Sequence, residues 1–145
     1  MPNWCTNEVS VYGTKEDIKS FKDLVQENDE NIFSFRKIKP IPEELEGTVS
    51  GSENAKPDWQ KEKSFQLKYK YGADNWYMWC INNWGTKWDA CSVDIIDETE
   101  QTINYIMETA WSPPEGIVNI LRKKFPELDI DWFYREDGCQ ISGWL

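Results

Sequence analysis

Apolar and polar residues alternate from Asn7 to Gly13: Val9 and Val11 are separated by Glu8 and Ser10 ahead of a glycine, and this period of two predicts a half-buried strand ending in a turn. The period then changes. Thr14 offers a capping hydroxyl, Glu16 and Asp17 fall in a first turn, and Ile18, Phe21, Leu24 and Val25 share one face at helical spacing, so a helix follows. Ile32 to Ile38 predicts a second extended segment, closed by Pro40 and Pro42, which cannot continue a strand interior. Residues 43–58 are rich in Glu, Gly, Ser and Pro, the composition of a surface loop or small insertion. The short alternation Phe65, Leu67, Tyr69 fits an edge strand or the approach to a helix equally well. Asp74 and Gly85 bracket a helix in which Trp76, Trp79, Cys80 and Trp84 follow the helical rule, with Gly85 placed for a left-handed cap.

Two strand-like runs come next, Trp88 to Ile96 and Gln101 to Trp111, joined by a polar turn that predicts a hairpin; Ile103, Tyr105, Met107, Thr109 and Trp111 fall on one face of the second. Ser112-Pro113-Pro114-Glu115 reads as a helix start, with serine capping and glutamate completing a capping box, and the helix carries Ile117, Ile120, Leu121 and Phe125 before Pro126 ends it. Alternation returns from Asp129 to Arg135, and Asp137-Gly138 turns the chain into a last strand over Gln140 to Trp144. The order β, α, β, an inserted helical stretch, β, β, α, β predicts an α+β fold of ferredoxin-like plait topology, an antiparallel sheet with helices on one face. A chain of 145 residues fits one such domain, 1–145, with an insertion at approximately 43–85.

Composition changes the functional picture. The net charge is −10, from 26 acidic against 16 basic residues, and this field opposes binding to phosphate backbones or anionic membranes. It suits solubility, or docking on a basic partner. Histidine is absent, which removes the commonest general base and metal ligand, and Cys5, Cys80, Cys91 and Cys139 lie too far apart for a zinc ribbon or a clustered iron–sulfur run. They read as core cysteines of a reduced cytoplasmic protein with no metal or cofactor. No secretory leader or membrane-spanning run is visible at the sequence level. The carboxylates, including Glu43-Glu44 and Asp97-Glu98, read as solvated faces and turns, and no nucleophile elbow or phosphate-binding glycine loop is present; the expectation is a protein that is not an enzyme, with no catalytic residues.

Nine tryptophans are the densest chemical signal, with Trp76, Trp79, Trp84 and Trp88 in one short segment. Pro2-Asn3-Trp4-Cys5-x-Asn7, the block Trp76-Tyr77-x-Trp79 with Asn83-Trp84-Gly85-Thr86-Lys87-Trp88, Thr109-Ala-Trp111-Ser-Pro113-Pro114, and Tyr134-x-Glu136-x-Gly138 with Gly143 together resemble the YubB-like proteins of plasmids and phages. The resemblance runs over nearly the whole chain, apart from about Glu43 to Lys63, which match no motif. It implies a ferredoxin-like domain in an accessory protein of a mobile element, and it brings no catalytic residues with it.

A lysine between two indoles beside a helix-terminating glycine suits a cation–π contact, or a phosphate held while a base stacks on an indole. Packing under the sheet, with Lys87 reaching solvent, is the commoner use of tryptophans at helical spacing. Trp4, Asn7, Thr109 and Trp111 would join that corner if the strands bearing them end there. The candidate ligand-binding set is therefore Trp4, Asn7, Trp79, Trp84, Thr86, Lys87, Trp88, Trp111 and Arg135, with Lys87 and Arg135 neutralising phosphate. Two functions follow as expectations. One is capture of a small nucleotide-like signal in an aromatic pocket, withholding it from a host defence effector in the bacterial cytoplasm. The other is an acidic protein inhibitor that covers a basic surface of a host defence or nucleic-acid-binding protein. An exposed edge strand leaves a symmetric homo-oligomer open.

Overall fold

The computed structural model describes residues 2–48 and 57–145. Strand β1 (Trp4–Tyr12) lies at the centre of an all-antiparallel sheet, between β3 (Thr102–Ala110) and β4 (Asp129–Glu136); β2 (Cys91–Glu98) forms one edge and β5 (Ile141–Trp144) the other, in the order β2-β3-β1-β4-β5. The first four strands make the ferredoxin-like plait, and β5 extends it as a hairpin from β4. Helices α1 (Lys15–Val25) and α5 (Glu115–Lys124) supply the two crossovers, while α2 (Phe35–Ile38), a 3-10 turn at Glu43–Leu45, α3 (Asp58–Tyr71) and α4 (Trp76–Asn83) fill the connection between α1 and β2. Among the described residues no helix is long and apolar enough to cross a membrane.

Strand alternation decides which side chains meet the helices. Val9 and Val11 of β1, Ile103, Tyr105 and Met107 of β3, and Ile130 and Trp132 of β4 are buried against Ile18, Phe21 and Val25 of α1 and Ile117, Val118 and Leu121 of α5. Each large apolar side chain so buried contributes roughly 1.5–3 kcal/mol. Edge-to-face rings knit this core to the inserted segment: Phe33 lies 5.1 Å from Tyr105 and 5.9 Å from Trp132, and Phe35 lies 5.8 Å from Trp84. Helix α1 starts as its sequence dictates, with the Thr14 hydroxyl accepting from the Asp17 N–H at 3.2 Å.

Several local expectations give way to tertiary contacts. The extended segment expected over 32–38 is instead the short helix α2. Ser34 caps it through the Lys37 N–H, and Asp89, distant in sequence, accepts from the Phe35 and Arg36 N–H groups at 2.7 and 3.2 Å. The Phe65 to Tyr69 alternation belongs to α3, where Leu67 is buried and both aromatics face outward. The part of the expected surface loop at 49–56 lies outside the described residues. Helix α4 is capped by Asn75, one residue beyond Asp74, whose carboxylate accepts from Ser64 of α3. Trp111 does not share the buried face of β3: the strand ends at Ala110, and a left-handed φ of 70° turns the indole outward.

Ser112 forms no capping box, and no side chain caps α5. Its hydroxyl donates instead to the Gly85 carbonyl at 2.6 Å, and the Gly116 N–H donates to the Trp84 carbonyl at 3.1 Å. The C-terminal end of α4 thus rests on the N-terminal end of α5. Glycine permits it: a Cβ on Gly85, whose φ is +92°, would lie 2.8 Å from the Glu115 nitrogen, and a Cβ on Gly116 would overlap the Asn83 carbonyl.

At the far end of β4, the buried Glu136 carboxylate accepts from the Gly138 and Cys139 N–H groups at 2.8 and 2.7 Å and so closes the β4–β5 turn. A hydrogen bond from the Cys139 thiol, reinforced by those N–H groups and opposed by burial, holds the Glu136 carboxyl below its ordinary pKa of 4.5.

Gly116→Ala is expected to lower the unfolding free energy by about 2 kcal/mol or more, because the methyl meets backbone that cannot yield; urea denaturation reads this, with the exposed Asn119→Ala as a near-neutral control. The depressed Glu136 carboxyl contributes stability that is complete above 4.5 and is lost as pH falls through the folded-state value. The Tm gap between wild type and Glu136→Gln should therefore narrow on acidification from about pH 6 to about pH 3.

Candidate functional site

A cavity of about 460 Å³ opens between α2, the segment that follows it, and the corner where α4 gives way to β2. That volume falls within the range of sites for small organic ligands, roughly 300–1,000 Å³. Its aromatic walls are Trp76, Trp84 and Trp88; its charged groups are Arg36, Lys87, Glu46 and Asp89.

Each wall has a separate cause. Trp84, the last residue of the α4 turn, is almost sealed (1% exposed) and donates its indole N–H to the Lys39 carbonyl at 2.9 Å, so it is fixed wall. Trp76 opens α4, and its backbone N–H donates to the Thr48 hydroxyl at 3.1 Å. Trp88 precedes β2, is 38% exposed, and leans on Trp4 of β1 with ring centroids 6.2 Å apart. Gly85 reverses the chain so that Trp84 points into the core while Lys87 and Trp88 remain at the surface.

The electrostatics favour an incoming anion more than the formal charges suggest. Lys87 Nζ sits 4.2 Å from the Trp88 ring centroid and, among the described residues, has no carboxylate within ion-pair distance. Arg36 is paired with Glu46 at 2.9 Å, but both side chains are about half exposed, and such pairs are worth only about 0–1 kcal/mol. A phosphate could therefore recruit Arg36 at small cost. Asp89 is occupied: its carboxylate accepts from the Phe35, Arg36 and Ala90 N–H groups. Burial pushes its pKa up, against the pull of those bonds.

The expected site residues divide accordingly. Trp84, Lys87 and Trp88 line the cavity; Trp4 supports Trp88, and Trp79 packs edge-on with Trp84 at 5.9 Å and has Lys39 Nζ 5.9 Å from its ring centroid. Asn7 is fully buried and saturated: its amide nitrogen donates to the Cys5 carbonyl and Thr109 hydroxyl, both at 3.0 Å, and its oxygen accepts from the Trp132 indole at 2.9 Å. Thr86 is buried with its hydroxyl donated to the Ala110 carbonyl at 2.9 Å. Both belong to the framework. Trp111 and Arg135 line no part of the cavity; the first follows the end of β3, and the second projects from β4 and pairs with Asp137 at 3.0 Å. Arg36, Trp76 and Asp89 are brought in by the fold. Trp76 lay within the tryptophan block, whereas Arg36 carried no local signal because its helix depends on Asp89.

Residues 83–144 match a family model described as the ferredoxin-like domain in Api92-like protein. This span begins at the end of α4, contains the Trp84 to Trp88 corner and ends in β5. The whole fold is similar to the crystal structure of a protein api92 from Yersinia pseudotuberculosis, with a TM-score of 0.59 and 10% sequence identity over 99% of this chain and 93% of that one. At such identity the likeness is one of fold. No protein of curated function matches the sequence. The ferredoxin-like topology thus stands.

Asn7→Ala should lower the unfolding free energy by about 1–3 kcal/mol by leaving the buried Trp132 indole N–H without its acceptor. Chemical denaturation measures the loss, and the cavity's chemistry should be unchanged in any folded population.

Proposed function

We propose that the protein captures a small nucleotide-like anion in the cavity at the Trp84 to Trp88 corner and withholds it without transforming it. The observation that carries this reading is the Lys87 ammonium, held over the Trp88 ring with no carboxylate partner among the described residues, at the edge of a cavity walled by three indoles. A base would stack on the partly exposed Trp88 while Lys87, joined by Arg36, takes the phosphate. Binding without turnover is supported by the lining itself. Its more buried carboxylate, Asp89, is spent on backbone N–H groups and so is not placed to take a proton from a guest, while Glu46 is half exposed to solvent beside Arg36. The motif resemblance to plasmid and phage proteins supplies the setting: an accessory protein that removes a host defence signal in the bacterial cytoplasm.

Native mass spectrometry of the freshly purified protein, with and without a panel of cyclic and linear nucleotides, tests the reading. A small bound mass in at least one condition is expected, and its consistent absence across the panel overturns it. For the nucleotide so found, Lys87→Ala should weaken binding by roughly 10- to 100-fold, the worth of one charge-assisted hydrogen bond, with little change in Tm. Trp88→Ala should act similarly through lost stacking. Trp84→Ala is the wrong probe, because truncating a sealed tryptophan costs about 3–5 kcal/mol of stability.

A further inference from the structure

The helices cover one face of the sheet, and the opposite face carries an unusual set of side chains. Register places Asp94, Ile106, Glu8, Phe133 and Trp144 side by side in one row across all five strands. Glu108, Asp129 and Asp131 lie on the same face. None of these five carboxylates has an ion-pair partner among the described residues. The single cation in the neighbouring row, Arg135, is already paired with Asp137. Ile106, Phe133 and Trp144 stand apart from the core cluster, and the Phe133 and Trp144 rings lie 5.1 Å apart with Trp144 71% exposed.

Unpaired like charges on one sheet face repel, so this pattern lowers stability and has no role in holding the fold. The chemistry does suit one class of guest. A guanidinium stacks on an indole and forms paired hydrogen bonds with a carboxylate, and this face offers both. Sheets of this plait topology that bind RNA also present aromatic rings to stack bases. Here five carboxylates surround the rings and would repel the phosphates, so the complementarity is to cationic protein.

We propose that the open face of the sheet docks an arginine-rich segment of a partner protein, with Phe133 and Trp144 receiving guanidinium groups and Glu8, Asp94 and Asp131 pairing with them. This surface is separate from the cavity, and the two readings fail independently: substitutions at Glu8 and Asp131 should leave nucleotide binding unchanged.

The full-length protein, labelled for amide NMR, is titrated with a capped arginine nonapeptide and a matched lysine nonapeptide. Shifts are expected in β1, β4, β5 and the Trp144 indole, with arginine bound more tightly than lysine. Glu8→Gln/Asp131→Asn should weaken arginine binding at least about tenfold and keep or raise Tm, whereas Asp29→Asn/Glu127→Gln, which removes equal charge elsewhere, should change it less than about twofold. Trp144→Ala should erase the preference for arginine. Equal losses in the two double variants, shifts confined to the helical face, no binding, or tighter binding of a uridine oligonucleotide to the sheet would each overturn the proposal. So would sedimentation showing a dimer that Trp144→Ala dissociates, because a second copy would then be the occupant.

Discussion

The backbone clasp between the end of α4 and the start of α5 is the constraint on which both the core and the cavity depend. Three hydrogen bonds hold it, from Gly116 to the Trp84 carbonyl, from Ser112 to the Gly85 carbonyl and from Thr86 to the Ala110 carbonyl. Close approach of two backbones is possible only where side chains are absent, and Gly85 and Gly116 meet there. The clasp fastens the inserted helices to the β3–α5 connection, so the chain reverses at Gly85 with Trp84 committed inward and Lys87 and Trp88 left at the surface.

That reversal sorts identical side chains into different work. Trp79, Trp84 and Trp132 are buried, and the indoles of Trp84 and Trp132 have framework acceptors, the Lys39 carbonyl and the Asn7 amide. Trp88 keeps more than a third of its surface and a cation above its ring. A buried indole is worth several kcal/mol to the fold, so its loss is felt throughout; a half-exposed one contributes little to folding and leaves its face for a guest. The same distinction separates Asn7 and Thr86, whose polar atoms are consumed inside the molecule, from Lys87.

Charge is divided as well. The cavity's carboxylates accept from backbone N–H groups or pair with Arg36, whereas those on the open sheet face are left without ion-pair partners among the described residues. One acidic protein thus carries a small region suited to an anion and a broad face suited to cations. Net charge alone could not reveal this, because it sums over both.

Periodicity and turn chemistry were sufficient for most of the architecture. The strands at β1, β3, β4 and β5 and the helices α1, α4 and α5 are legible in alternation and spacing over a few residues, where the pattern of burial is written directly into the chain, and their order along the chain predicts the antiparallel ferredoxin-like sheet. The features that escaped are those in which a distant contact or a local turn of the backbone overrides the local pattern. Helix α2 is held by Asp89, Ser112 serves Gly85 rather than its own helix, and Trp111 leaves the strand because φ turns positive after Ala110. The sequence by itself determined that tryptophan, lysine and glycine would crowd one corner. Only the tertiary structure decided which indoles are sealed, that Arg36 and Asp89 join the corner, and that Arg135 and Trp111 stay outside the cavity, since these are properties of surfaces that exist only once distant segments have packed.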